Sequence, residues 1–171
     1  MTQRLKPLKI LALAPGKREF GLALFTGIEL TYFSVRSFRK VRSQHMLINE
    51  VLILVRELID SFDPGVIAIN AISKYQQTSP FLKQMRLILK REAAISQVVF
   101  IEITRNQIIS ILCSDEKSTK KEAFRQLAHS YPELIHFINL PNQWQNQYYN
   151  NLLMAVSVGV VFLRTQNQKD L

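Results

Sequence analysis

The first third of the chain alternates short apolar runs with turn residues. Leu8 to Leu13 is mostly apolar and is closed by Pro15-Gly16, which predicts a buried central strand. Gly21 to Phe25 and Glu29 to Val35 read as two further strands joined at Thr26-Gly27, so the three form an antiparallel meander. From Met46 to Phe62 the period changes. Leu47, Val51, Leu54, Leu58 and Ile59 recur at helical spacing, and Asp63-Pro64-Gly65 stops the helix. Ile48, Leu52, Ile53 and Val55 lie outside that stripe, more apolar surface than one face needs and a candidate dimer surface. Val66 to Ile69 is a β-branched strand, parallel to the first if the helix is a crossover.

The alternation continues. A helix is expected from about Pro80 to Ser96, with Phe81, Met85, Ile88 and Leu89 inward, and then a strand from Val98 to Ile103. Asn106 to Leu112, Thr119 to Ser130 and Gln147 to Leu163 read as helices, with Ser118 the expected N-cap of the second. The fold class is therefore α/β, a mixed five-stranded sheet flanked by helices. Residues 1–7 read as a basic N-terminal tail, 8–163 as one domain and 164–171 as a C-terminal tail.

Composition narrows the function classes. No run approaches the roughly 18 apolar residues of a membrane span, and Ile10 to Leu13 is too short for a signal core, so a cytoplasmic protein is expected. Cys113 is the single cysteine; it reads as a small apolar core residue and excludes an intramolecular disulfide. Lys and Arg number 22 against 13 Asp and Glu, a formal charge of +9. That excess suits a polyanion, because phosphate contacts dominate nucleic-acid affinity.

The basic residues gather in three places. Arg36, Arg39, Lys40 and Arg42 follow the third strand. Lys83, Arg86, Lys90 and Arg91 share one helix, opposite its apolar side. Lys117, Lys120, Lys121 and Arg125 crowd the start of another. Each is either a solvated face or a phosphate grip. Trp144, Tyr148 and Tyr149, set among Asn and Gln, are either a helix start packed onto the domain or an uncharged contact surface. His45, His129 and His136 read as structural or solvated, with no metal site among them.

Four segments carry a resemblance. Ile10 to Gly21 (ILALAPGKREFG) is similar to the opening of RuvC-type Holliday-junction resolvases. Asp63 to Asn70 (DPGVIAIN), Ser114 to Ser118 (SDEKS) and Asn150 to Ala155 (NNLLMA) resemble later segments of that family, in order and with similar spacing, from about Leu8 to Phe162. The resemblance implies the ribonuclease H-like fold, a homodimer and a branched-DNA partner. The family hydrolyses phosphodiesters with two magnesium ions held by four carboxylates. Here the corresponding positions are Ala14, Asn70, Tyr148 and Asn151, none acidic. No catalytic residue, metal or cofactor is therefore expected.

The chain's four Asp are Asp60, Asp63, Asp115 and Asp170, and none closes an expected strand. A rebuilt site would have to use Glu19, Glu29 or Glu102. The residues expected to touch nucleic acid are Lys17, Arg18, Tyr75, Lys83, Arg86, Lys90, Arg105, Lys117, Lys120 and Lys121. Lys117 matches a family residue near the DNA. A second family lysine falls between Asn106 and Cys113, where this chain has neither Lys nor Arg and Arg105 is nearest. The family's stacking aromatic is Ser73 here, with Tyr75 two positions on, either a substitute or a loop-packing residue. The leading expectation is a non-cleaving protein that binds branched DNA, with a recombination or repair protein as a further partner. A scaffold module that keeps the resolvase fold and dimer is the second reading, and a nuclease with a rebuilt site the third.

Overall fold

The structure, a computed structural model, describes residues 6–73 and 79–169. Five strands form one sheet: β1 (Lys9–Pro15), β2 (Glu19–Thr26), β3 (Glu29–Ser37), β4 (Val66–Asn70) and β5 (Val99–Ile103), in the order β3-β2-β1-β4-β5. β1 pairs antiparallel with β2 and parallel with β4, as the crossover argument predicts. Five helices accompany the sheet: α1 (Gln44–Phe62), α2 (Pro80–Ile95), α3 (Arg105–Leu112), α4 (Lys120–Ser130) and α5 (Gln143–Lys169).

Strand alternation divides the core in two. Leu11, Leu13, Phe20, Leu22, Ile67 and Ile69 face α1 and α2. Ile10, Ala12, Ala14, Ala23, Phe25, Val66 and Ala68 face α3, α4 and α5. On this second side the residues shrink toward one end of the sheet. Phe25, Ile10 and Val66 form one row across β2, β1 and β4, and Ala23, Ala12 and Ala68 form the next. The row after that begins with Gly21 beside Ala14. Methyls and a missing side chain let α5 come down onto the sheet there. A Cβ at Gly21 would overlap the main chain of Asn151, and one at Gly159 would meet the Phe25 ring. Leu152, Leu153, Val156 and Val160 are buried along α5. Full burial of such side chains contributes about 1.5–3 kcal/mol each.

Several boundaries differ from the sequence reading. Helix α5 starts four residues earlier than expected and continues six past Leu163, to Lys169. Arg164 donates to Ile111 O (3.2 Å) and to Ser130 Oγ (3.4 Å), which ties this extension to the domain. The N-cap of α4 is Thr119 and not Ser118, because only Thr119 has Glu122 at the third helical position to close a capping box. A short 3-10 helix, Pro132–Phe137, was not anticipated. Cys113 is the C-cap of α3 and only half-buried. Of the extra apolar residues on α1, Val55 is fully buried, Ile48 and Leu52 are half-buried and Ile53 is exposed. Glu92 on α2 is buried and held by Arg56 of α1, with Nε to Oε2 at 2.9 Å and Nη2 to Oε1 at 3.3 Å.

Candidate functional site

Two parallel strands end beside one another. Leu13 pairs with Ile69, so the next residues, Ala14 and Asn70, are neighbours at the ends of β1 and β4. Strand alternation puts both on the α5 side of the sheet, with Gly21 flanking Ala14 from β2. The Asn151 main chain sits over Gly21, and its Nδ2 donates to Glu19 O at 3.4 Å, beside Gly16. Gly16 N also donates to Glu19 O, at 2.8 Å. Both glycines are needed here, since a Cβ at Gly16 would lie 2.7 Å from Asn151 Nδ2. Three of the four inferred positions thus converge.

Tyr148 makes its contacts a little to one side. Its ring meets Tyr149 edge-on at 4.9 Å between centroids, and the Arg39 guanidinium lies 6.0 Å from its centroid. Arg39 Nε donates to Glu19 Oε1 at 2.6 Å. The Glu19 carboxylate at this end of the sheet is therefore paired with an arginine.

These residues do not fit a divalent cation. Ala14 is a buried methyl, Asn151 offers its amide N–H to a carbonyl, and the Tyr148 ring lies beside the Arg39 guanidinium. Asn70 Oδ1 is buried with no hydrogen-bond partner among the described residues. It is one neutral oxygen, whereas magnesium is held by several hard, mostly anionic ones. Among the described residues no three of His, Cys, Asp and Glu gather into a group that could hold a metal ion. The other sequence candidates are apart: Glu102 is ion-paired with Arg86, Nη2 to Oε2 at 2.6 Å, and Glu29 opens β3 at the far end of the sheet from Ala14.

The ten expected nucleic-acid contacts separate into groups. Lys17 and Arg18, with Arg42, line a small groove that also includes Ser79 and Phe81 at the start of α2. Arg18 is braced there by a bond from Nη1 to Val41 O. Lys120 and Lys121 line a cavity of about 590 Å³ between α4 and α5, together with Arg125. Lys120 is half-buried; burial first, and then the nearby Arg105 charge, hold its amine below the usual lysine range. Lys117 is exposed just before α4, its backbone N–H bonded to Asp115 Oδ1 at 2.9 Å. Lys83 and Lys90 are exposed on α2, where Arg86 is committed to Glu102. Tyr75 lies outside the described residues.

No family model matches the sequence, and no curated protein matches it. Solved structures do. A Thermus thermophilus RuvC structure is 14% identical, covers 93% of this chain and 97% of its own, and superposes with a TM-score of 0.69. Thermus thermophilus RuvC in complex with a Holliday junction substrate gives 13%, 92%, 96% and 0.66. The yeast mitochondrial Holliday junction resolvase Ydc2 gives 14%, 98%, 83% and 0.64. The chain has the fold of RuvC. At this identity the likeness is one of fold over nearly the whole length of each chain. At the end of that fold Ala14 and Asn70 lie on adjacent strands, and the Asn151 main chain lies over Gly21, the strand partner of Ala14. The sequence reading had placed Arg39 only in a basic cluster. The β2–β3 register, which sets Glu19 opposite Ser37, is what brings Arg39 to Glu19 and Tyr148. Arg125, Asn139, Asn146 and Asn150, which complete the α4–α5 cavity, were likewise not assigned to a site.

Proposed function

We propose that this chain is a RuvC-like protein that binds branched DNA without cleaving it. The observation that carries the reading is the convergence of Ala14, Asn70 and Asn151 at the strand ends with no unpaired carboxylate among them. Two-metal hydrolysis needs acids at that point. Binding needs only cations around it, and Lys17, Arg18 and Arg42 supply them. That a RuvC of the same fold is in complex with a Holliday junction substrate supports a four-way junction as the ligand. We further propose a homodimer, with the exposed Met46 and Ile53 on α1 as contact residues, and a recombination or repair protein as a further partner.

The test is a binding titration with a four-way junction, a linear duplex of equal length and a single strand, across salt and with magnesium or manganese. Junction should bind more tightly than duplex. Affinity should fall with salt at a log–log slope near −0.9 per phosphate contacted, and the strands should stay intact. Metal-dependent cleavage lost on Glu19→Gln or Glu102→Gln would replace this reading with a rebuilt nuclease site. Equal affinity for junction and duplex, or no binding at moderate salt, would replace it with an interaction module.

A further inference from the structure

The cavity between α4 and α5 lies on a different face of α5 from the strand-end site. Asn146, Asn150 and Leu153 line it, four and three residues apart on one face of the helix, whereas Asn151 turns toward Gly16 and Glu19. Its volume of about 590 Å³ falls in the range of small-ligand sites. Phe124, Phe137, Leu140 and Leu153 give it an apolar floor. Lys120, Lys121 and Arg125 supply three positive charges, and its lining includes no carboxylate.

The acids nearest in sequence are already engaged. The Glu122 carboxylate accepts from Thr119 N in the capping box, and Asp115 accepts from Lys117 N. Lys120 rests its ammonium over the Phe124 ring at 5.8 Å, with Arg105 as its charged neighbour in place of an acid. A half-buried cation in that setting is stabilised by an anion. The rim is fixed in advance. Asn146 clamps the loop before α5, donating from Nδ2 to Leu140 O (2.7 Å) and Asn142 O (3.1 Å) and accepting from Leu140 N (3.1 Å). Asn139 is held in the left-handed region, at φ 59.

We propose that this cavity binds a nucleotide phosphate, with the phosphate against Lys120, Lys121 and Arg125 and the base over the apolar floor beside Asn150. Lys120 and Lys121 also count as nucleic-acid contacts in the junction-binding reading; the cavity adds Arg125, Asn150 and an apolar floor, and takes a terminal phosphate whether or not a junction is bound. The phosphate comes either from a free mononucleotide or from the phosphorylated end of a strand, since both present the same group.

Titration of the full chain with AMP, and with a single-stranded 12-mer carrying either a 5′-phosphate or a 5′-hydroxyl, separates the two sources. The double variant Lys121→Glu, Arg125→Glu should bind the phosphate-bearing probes at least tenfold more weakly. Both residues are exposed, and a thermal melt checks the fold. Saturable AMP binding with no 5′-phosphate preference identifies a free nucleotide. Preference for the 5′-phosphorylated strand identifies a strand end. In the wild-type protein, bound AMP should protect Lys120 and Lys121 from an amine-acylating reagent, and inorganic phosphate should compete. If AMP is not bound and the two strands bind equally, or if the variant binds AMP or the phosphorylated strand as tightly as the wild type, the proposal is overturned.

Discussion

Asn150 and Asn151 are neighbours in sequence and serve opposite surroundings. Asn151 presses its main chain onto Gly21 and gives its amide to Glu19 O, in a close-packed row where Ala14 is 1% exposed. Asn150 faces an open cavity with three cations around it. One face of α5 packs closely on the strand ends, where the polar groups are amides or already paired. The other has gathered positive charge without a carboxylate. Packing alone fixes the backbone at the strand ends, here Gly16, Gly21 and the four alanines Ala12, Ala14, Ala23 and Ala68 under a helix, whatever chemistry the side chains carry.

The contrast breaks first at the strand ends. Placing Ala14→Asp and Asn70→Glu together puts two carboxylates side by side, one at a buried position and one at a half-buried one. An uncompensated buried charge costs about 3–5 kcal/mol, so the melting temperature in chelator should fall by roughly 10 °C or more. If the two positions converge as described, manganese should recover a substantial part of that loss, since adjacent carboxylates with Asn151 alongside offer hard oxygen ligands. A melt that ignores manganese would mean that the pair does not share one point.

The packing of α5 is tested next. Gly21→Ala forces a Cβ into the Asn151 main chain, which cannot swing aside as a side-chain tip can. Overpacking of this kind costs about 1–3 kcal/mol, and a backbone clash belongs at the upper end. Gly27→Ala is the matched control: its φ is +61 in an open turn, with nothing within 4 Å of a new Cβ, so only the left-handed strain of about 1 kcal/mol applies. Urea denaturation of both variants should rank Gly21→Ala as the more damaging. The reverse order would remove the argument that close helix approach shapes the site.

How much of this was legible in the sequence follows from what each feature depends on. The sheet was legible because burial on both faces leaves apolar runs such as Leu11 to Leu13 and Val66 to Ile69. The first turn of α5 was missed because Gln143 to Asn146 carry no apolar period, only polar residues and one exposed tryptophan. Ala14, Asn70 and Asn151 were singled out only through resemblance, because positions without acids leave no local signal of their own. The Glu19–Arg39 pair spans 20 residues and exists only through the strand register. The cavity was invisible for a similar reason: Lys120, Lys121 and Arg125 read as a solvated helix face until Asn139 and Asn150 are brought opposite them.

The smallest effect concerns the helix that carries those cations. Thr119 Oγ1 accepts from Glu122 N at 3.3 Å, and the Glu122 carboxylate accepts from Thr119 N. Thr119→Ala removes the first bond and should cost about 1 kcal/mol. Ser118→Ala should stay within about 0.5 kcal/mol, because Ser118 makes no side-chain cap. The two adjacent hydroxyls are thereby told apart. The carboxylate half of the box shows in pH. Its bonds to Thr119, the backbone one first, hold the Glu122 acid below the ordinary carboxylate range. A group lowered in the folded state contributes stability above its unfolded pKa and loses it as pH falls through the folded one. Denaturation followed from neutral pH into the acid range should therefore decline less steeply in Glu122→Gln than in the wild type. Thr119→Ala should keep most of the wild-type slope, since Thr119 N remains in place to donate. An unchanged slope in Glu122→Gln would mean that α4 is held by Phe124 and Leu127 in the core and not by its cap. Lys120 and Lys121 would then be positioned by packing alone.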